Sequence, residues 1–229
     1  MGLPVLVIGE SSSGKSTAIK GLADRKLQNL GVFAVASKPM PFRGKVPVIN
    51  HAGYNVIISA WERAKKNNKW LKAYVIDDSQ YLMTFSAFAR AKETGYAKFT
   101  DFALDFYNLI QYVINELPDD VIVYFLHHSE TNDTGKVKAK TLGKMLDSQL
   151  TLEGLFCIVL YCQTDGKRHW FTTQSDGYTT AKSPMGMFPM EIDNDLGMVD
   201  DAIREYYYME PVHDTDNNTA EADSTKESA

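Results

Sequence analysis

The stretch Gly9-Glu-Ser-Ser-Ser-Gly14-Lys15-Ser16-Thr17 decides the fold, because it matches the pattern G-x-x-x-x-G-K-[ST] without a mismatch. An apolar run, residues 3–8, precedes this stretch, and apolar residues recur at helical spacing over 15–30. A strand, a glycine-rich loop and a helix in this order form a phosphate-binding loop, or P-loop. The sequence therefore predicts a loop whose backbone amides surround a phosphate group.

The residue types of this loop each have a physical role in binding a nucleoside triphosphate. Glycine permits the curled backbone, the Lys15 ammonium is expected on the β- and γ-phosphates, and the Ser16 hydroxyl on Mg²⁺. We therefore expect ATP and Mg²⁺ as cofactors. The predicted nucleotide-binding residues are Gly9, Glu10, Ser11, Ser12, Ser13, Gly14, Lys15, Ser16 and Thr17.

Two acids close another apolar run, Ala73-Tyr-Val-Ile-Asp77-Asp78. An acid at the tip of such a strand is the usual second element of a P-loop metal site. Asp77 is accordingly predicted to hold Mg²⁺ together with Ser16. Asp78 is predicted to orient the attacking water or the metal shell, and a solvated turn at the strand end is its alternative.

A third motif is Phe125-Leu-His127-His128-Ser129-Glu130, at the end of a further apolar run. Neighbouring residues of a strand point to opposite faces, so only one histidine can face the nucleotide. We predict that His128 does so. Glu130 is a candidate general base, although a surface-loop role fits equally well. The predicted catalytic residues are Lys15, Asp77, Asp78, His128 and Glu130.

Strand and helix patterns alternate along the chain, which predicts an α/β fold with a mostly parallel sheet flanked by helices. Residues 168–174 and 177–180 flank Ser175-Asp176 and predict a C-terminal antiparallel β-hairpin at one edge of the sheet. The other predicted strands cover 32–36, 74–76, 121–126 and 155–162, and the other predicted helices cover 55–70, 99–116 and 195–209.

Composition divides the 229 residues into one domain, 1–209, and an acidic tail, 210–229, that is expected to be disordered. The net charge of −5 equals the net charge of the tail alone, so the domain is neutral. A neutral domain argues against a histone-like DNA binder but allows a local basic groove. Two cysteines exclude a disulfide scaffold, and no apolar run is long enough for a membrane span. We expect a cytoplasmic protein with no membrane partner.

Four lysines and two glycines lie within Thr134–Lys144, which predicts a mobile, positively charged loop. Such a loop at the P-loop edge is suited to contact DNA or a neighbouring subunit. Its alternative is a solvated loop that caps the next helix. The predicted contact residues are Lys136, Lys138, Lys140, Lys144 and Lys182.

Taken together, these motifs and the stretch Thr179-Thr-Ala-Lys-Ser-Pro184 resemble phage-encoded P-loop ATPases with a RecA-like core, some of which belong to the Sak group of single-strand annealing and recombination ATPases. The resemblance covers about residues 3–190. It implies a RecA-like ATPase that acts on single-stranded DNA in phage recombination or replication. It also implies a homo-oligomer in the host cytoplasm and a possible single-strand-binding protein as a partner.

One motif of that family is missing. RecA-like ATPases usually carry a catalytic Glu after the second strand, where this chain has Val35-Ala-Ser37-Lys38. Either Asp78, Glu62 or Glu130 replaces that residue, or hydrolysis is slow. Two alternatives therefore stay open: a nucleotide-gated adaptor or loader that does not hydrolyse ATP, and a small-molecule P-loop kinase.

Overall fold

The computed structural model describes residues 1–95, 97–142 and 151–212, so most of the predicted tail and Lys144 lie outside the described residues. Within those ranges, nine strands form one sheet. The strands are β1 Leu3–Gly9, β2 Leu30–Ala34, β3 Val48–Asn50, β4 Ala73–Asp77, β5 Ile122–Thr131, β6 Val137–Ala139, β7 Ile158–Thr164, β8 His169–Thr172 and β9 Glu191–Asp193. The helices are α1 Ile19–Lys26, α2 Tyr54–Asn67, α3 Gln80–Ala89, α4 Ala97–Glu116 and α5 Leu196–Tyr206.

The sheet has the order β3-β2-β4-β5-β1-β7-β8-β9, and β6 pairs with β5. The strands from β3 to β7 along this order are parallel, whereas β8 and β9 extend the sheet in antiparallel fashion. This arrangement confirms the predicted α/β class with a mostly parallel sheet and an antiparallel edge. Because β4, β5 and β1 are neighbours, their carboxyl ends bring three of the sequence motifs together.

Helices cover both faces of the sheet, and the alternation of β1 explains how. Leu6 and Ile8 pack in the cluster that includes α2 and α4, while Val5 and Val7 pack in the cluster that includes α1 and α5. All four side chains are fully buried. A strand that is covered on both faces needs such a continuous apolar run. Each side chain of this size contributes about 1.5 to 3 kcal/mol when fully buried.

The predicted C-terminal hairpin is wrong in its pairing. Strand β8 pairs with β7 and with β9, and residues 177–180 form no strand. The β7–β8 connection is tight because the Asp165 carboxylate accepts hydrogen bonds from the amides of Lys167 and Arg168. The Ser175-Asp176 turn is present: Asp176 accepts from the backbone amides of Tyr178 and Thr179. It connects β8 to an irregular segment instead of a partner strand.

Helix α1 begins later than predicted, at Ile19 instead of Lys15. Residues 15–18 form a turn in which the Ala18 amide donates to Gly14 O, and Ala18 O accepts from the Leu196 amide. Strand β3 and helix α3 were not predicted at all. In the described part of the chain, no helix combines the length and the apolar character that a membrane crossing needs.

Helices α1 and α5 touch backbone to backbone through two glycines. A Cβ atom at Gly21 would lie 1.8 Å from Asp195 Oδ1, and one at Gly197 would lie 2.4 Å from Gly21 O. Asp195 caps α5, since its carboxylate accepts from the Met198 amide. The helix that follows the P-loop is therefore fixed against the C-terminal helix at contact distance.

A buried charge cluster lies near the other end of this helix pair. Lys26 Nζ is 2.6 Å from Asp200 Oδ2 and 2.6 Å from Asp201 Oδ1, and Arg204 Nε is 2.7 Å from Asp200 Oδ2. The Tyr124 hydroxyl donates to Asp200 Oδ1 at 2.9 Å. Lys26, Asp200 and Arg204 are almost completely buried. Every charge in this cluster thus has an opposite charge beside it.

Candidate phosphate-binding site

The P-loop leaves β1 at Gly9 and curls through two residues in the left-handed region, Ser12 at φ 66° and Gly14 at φ 105°. A Cβ atom at Gly9 would lie 2.6 Å from Ser13 Oγ, and one at Gly14 would lie 2.7 Å from Asn194 Nδ2. Both glycines of the motif are therefore required by space, and Gly14 also by its backbone angle.

Lys15 folds back over the loop. Its Nζ donates to Gly9 O at 2.8 Å and to Glu10 O at 2.7 Å, and the side chain is buried. Burial lowers the pKa of Lys15. Within the described residues, no carboxylate lies within 4.0 Å of this ammonium. Lys15 is thus a buried cation whose immediate partners are neutral carbonyls, and this arrangement favours an incoming anion.

Asp77 ends β4 beside the loop and accepts a hydrogen bond of 2.8 Å from Ser16 Oγ. Burial raises the pKa of Asp77, and the Ser16 hydrogen bond partly opposes that effect. A hydroxyl and a carboxylate at this separation are the two protein ligands predicted for Mg²⁺. The cation usually binds one or two carboxylates plus phosphate oxygens, so the donor set fits it. Among the described residues, no group of three or more His, Cys, Asp or Glu could hold a metal.

Asp78 is held from two sides, by Lys38 Nζ at 2.8 Å and by His128 Nε2 at 3.2 Å. Burial favours a higher pKa for Asp78, but the hydrogen bonds from His128 and Lys38 outweigh it and lower the pKa. The residue itself adopts a left-handed φ of 59°. Tyr81 packs its ring against His128 and lies beneath Lys38. Asp78 is therefore a fixed, ionised group at the strand tip.

The two adjacent histidines point in opposite directions, as alternation on β5 requires. His128 faces Asp78, whereas His127 is fully buried against Phe106. The Nε2–H group of His127 donates to Lys140 O at 2.7 Å, and its Nδ1 accepts from the Ser79 hydroxyl at 2.9 Å. Burial lowers the pKa of His127 to about 4. His127 is a structural residue that joins α3, β5 and the segment after β6.

The structure separates two other candidate bases from this site. Glu130 lies opposite Lys138 in the β5–β6 ladder, with 3.2 Å between the charged atoms. Glu62 on α2 accepts a hydrogen bond from the Tyr112 hydroxyl of α4. Neither carboxylate contacts the P-loop, Asp77 or Asp78 among the described residues. Of the three substitutes considered for the missing Glu, only Asp78 lies beside the P-loop lysine and metal ligands.

The predicted mobile lysine loop contains a strand, so its description as a loop was wrong. Strand β6 pairs with β5 across a turn in which Asn132 Oδ1 accepts from the amides of Thr134 and Lys136. Val137 and Ala139 face the core, so the alternate lysines share the outer face. Those lysines are Lys136, Lys138 and Lys140.

Lys182 lies in the irregular segment between β8 and β9, which passes beside the β5–β6 hairpin. Its backbone pairs with Val159 of β7, and Thr179 three residues earlier bridges to Val137 of β6. The structure therefore brings Lys182 into the same region as the hairpin lysines. Lys144 lies outside the described residues.

A cavity of about 530 Å³ opens beside the tip of the P-loop. Its walls come from the P-loop, α3, the end of β5 and the segment after β6, and they include Glu10, Ser11, Tyr81, Thr84, His128 and Lys140. The lining is mostly polar side chains. This space connects the loop to the predicted sensor residue His128.

The loop itself fits a phosphate group on two observations. The amides of Gly14 and Lys15 have no backbone partner in the described part of the chain. Ser13 Oγ is buried and likewise has no partner there. Buried polar groups are nearly always paired, so these donors indicate a ligand that supplies oxygen acceptors. Together with Lys15, they form a cradle of donors that is suited to bind an anion.

Three further residues contact the loop, and no sequence motif predicted them. His169 Nδ1 lies 2.7 Å from Ser13 O, Asn194 Nδ2 donates to Gly14 O at 2.9 Å, and Cys162 Sγ donates to Ser13 O at 3.2 Å. They are about 150 to 180 residues away in the chain and belong to no motif. Cys162 reaches the loop from β7, the neighbour of β1, whereas His169 and Asn194 reach it from the antiparallel extension.

No protein-family model matches the chain, and no curated protein matches it. Among solved structures, a KaiC-like protein from the hyperthermophilic archaeon Pyrococcus horikoshii OT3 is similar, with 16% identity and a TM-score of 0.44. The matched region covers 74% of this chain and 76% of that chain. The functional conclusion therefore rests on the residues of this chain.

Proposed function

We propose that this protein is an ATP-binding, Mg²⁺-dependent ATPase of the RecA-like class that acts on single-stranded DNA in phage recombination or replication. The observation that carries the proposal is the joined site at the strand ends. There the P-loop residue Ser16 is bonded to Asp77 at the end of β4, beside the buried cation of Lys15. Mg²⁺, when bound, would neutralise the charge that develops on the phosphates.

Each of the chain's own groups has a defined task in this proposal. The loop amides and Lys15 bind and orient the phosphates. Asp78, kept ionised by Lys38 and His128, orients the water that attacks. His128 lies between Asp78 and the cavity, so it is placed to respond to the terminal phosphate and to reposition Asp78.

The test is nucleotide binding and turnover with purified protein, with and without single-stranded DNA. Wild type should bind an ATP analogue and hydrolyse ATP. Lys15→Ala should weaken binding about 100-fold, whereas Asp77→Asn should mainly remove the Mg²⁺ dependence. No binding by wild type, or undiminished binding by Lys15→Ala, would exclude the proposal. Lys66→Gln, an exposed substitution on α2, is the control.

The DNA part of the proposal is supported by the lysine face of the β5–β6 hairpin and is tested separately. Lys136→Gln and Lys140→Gln should each weaken binding of a single-stranded oligonucleotide about threefold. Each should also reduce the slope of log affinity against log salt by about 0.7. ATP affinity without DNA should stay unchanged. An unchanged salt slope in the double variant would reject this face as the DNA contact.

The homo-oligomer, the single-strand-binding partner and the host-cytoplasm location belong to the same proposal. Light scattering with an ATP analogue and an oligonucleotide, each alone and together, tests the oligomer. A purified single-strand-binding protein is then added in the absence of DNA. If the two proteins bind each other directly, light scattering should detect a larger species. A monomer under all conditions would remove the oligomer from the proposal.

A nucleotide-gated adaptor or loader is the second candidate, and the state of the acids favours it. Asp78 is paired with Lys38 and accepts a hydrogen bond from His128, and Glu130 is paired with Lys138, so neither of these two carboxylates is free to act as a strong base. Tight ATP binding with negligible turnover, alone and with DNA, would select the adaptor.

The polar cavity beside the loop also gives room for a phosphate acceptor, as a small-molecule kinase requires. Phosphorylation of an added nucleoside, with no release of free phosphate, would select the kinase.

A further inference from the structure

The outer side of the P-loop is bonded to the antiparallel extension of the sheet by two side chains. His169 on β8 contacts Ser13 O at 2.7 Å, and Asn194, directly after β9, donates to Gly14 O at 2.9 Å. A carbonyl oxygen only accepts, so Nδ1 of His169 carries the proton in this contact. We call His169 and Asn194 the outer clamp.

The clamp determines where two amides point. All peptide bonds of the described residues are trans, and in a planar trans peptide the C=O and N–H groups point in opposite directions. Holding Ser13 O outward therefore directs the Gly14 amide inward, and holding Gly14 O outward directs the Lys15 amide inward. Like the amides of Ser11, Ser12, Ser16 and Thr17 in the same loop, these two amides have no backbone partner among the described residues.

The clamp residues are themselves fixed. His169 lies opposite Thr164 in the β7–β8 ladder, and β8 is held on its other side by β9. Asn194 is followed by the cap of α5, and its Oδ1 lies 3.5 Å from Cys162 Sγ. Burial raises the pKa of Cys162 to about 11, so the thiol keeps its proton. The thiol donates that proton to Ser13 O at 3.2 Å, which is the shorter of its two contacts. Because the carbonyl oxygen of Gly14 only accepts, the group of Asn194 that faces it is Nδ2.

We infer that His169 and Asn194 are positioning residues, which hold the Gly14 and Lys15 amides in the orientation that binds phosphate before any nucleotide arrives. This inference rests on the proposed nucleotide binding. A loop with freely rotating peptides would have to order these amides during binding, and that ordering would reduce affinity. The antiparallel extension thus has a task in the site, although it contributes no group that touches the phosphate.

The experiment measures the affinity of a fluorescent ATP analogue and of inorganic pyrophosphate. His169→Phe keeps a ring but removes the donor and should weaken both affinities about five- to tenfold. His169→Asn returns an N–H group near the Nδ1 position and should restore affinity to within about twofold of wild type. Asn194→Ala tests the second peptide and should weaken binding about as much as His169→Phe. Glu191→Gln, which removes only the Arg168 ion pair on the same strands, is the matched control.

Thermal unfolding of each variant separates positioning from folding. Weaker binding at an unchanged Tm, with rescue by His169→Asn, supports the clamp. If His169→Phe does not fold, the Asn194→Ala and His169→Asn pair decides by the same comparison. Equal affinity of wild type, His169→Phe and Asn194→Ala would overturn the clamp and leave the proposed nucleotide binding intact. Failure of wild type to bind either probe would overturn both.

Discussion

Two buried cations at opposite ends of the P-loop helix segment have different surroundings. Lys26 lies between Asp200 and Asp201, and the Tyr124 hydroxyl bonds Asp200, whereas among the described residues the hydrogen-bond partners of the Lys15 ammonium are the carbonyls of its own loop. A buried charge is costly unless an opposite charge compensates it. Lys26, Asp200, Asp201 and Arg204 form a cluster in which every charge has an opposite charge beside it, and we call it the closed cluster. Lys15, Ser16 and Asp77 form the open cluster, in which no carboxylate of the described residues contacts the lysine. An uncompensated buried charge of this kind indicates a binding site.

The largest expected effect tests the closed cluster. Asp200→Asn leaves the buried cations Lys26 and Arg204 with too little negative charge, so the free energy of unfolding should fall by about 3 to 5 kcal/mol. Asp77→Asn, the matched change at a buried carboxylate of the open cluster, should alter it by less than about 1 kcal/mol. Urea denaturation of both variants checks this. Equal losses in the two variants would remove the distinction between the clusters.

His127 extends the comparison, because it lies near the P-loop but both of its ring nitrogens are hydrogen-bonded within the protein. The pKa of His127 is about 4 in the folded protein and about 6.5 in the unfolded chain, so as pH falls the imidazole is protonated in the unfolded chain before it is protonated in the folded protein. The stabilising effect is complete above pH 6.5 and is lost as pH falls towards 4, by about 3 kcal/mol in total. Unfolding free energies between pH 8 and 4 should therefore fall less steeply in His127→Asn than in wild type.

The control for that measurement is His51→Asn, which removes an exposed histidine from the loop before α2. It should leave the acid slope of wild type unchanged. If His127→Asn and wild type lost stability in parallel over this pH range, His127 would not be held neutral by its burial.

The smallest expected effect on stability is at Lys15. Lys15→Met removes a buried charge that has no carboxylate partner in the described ranges, so stability should stay within about 1 kcal/mol of wild type or rise slightly. Nucleotide binding should still be lost. A stability loss as large as that of Asp200→Asn would show that Lys15 holds the apo loop together. Urea denaturation and nucleotide titration of the same sample check both parts.

The sequence was sufficient for the parts that depend on local patterns. The loop 9–17, the two acids at the end of β4 and the alternation of His127 and His128 follow from motif and strand period alone. Strand β3 was missed because it has three residues at an exposed edge, and α3 because Gln80–Ala89 is apolar on most sides. Neither segment shows a clear period.

The rest depended on contacts that no local pattern contains. The partner of β8 was misassigned because two turns flank this strand, and each is able to reverse the chain. Lys38 and Asn194 are single polar residues on loops, and His169 is one on a strand of the antiparallel extension, so only tertiary packing gives them a role. The catalytic base could not be identified from the sequence for the same reason, because it depends on which carboxylate the fold places near the P-loop.

The glycine contact between α1 and α5 has one more consequence. No space is left for a side chain at Gly21 or Gly197, so α1 and α5 lie at a distance that only glycine permits at these two positions. Because α1 directly follows the P-loop, the backbone contact at Gly21 and Gly197 also sets the distance between the loop and α5. A side chain at either glycine would push α1 away from α5 and move the segment that carries Lys15 and Ser16.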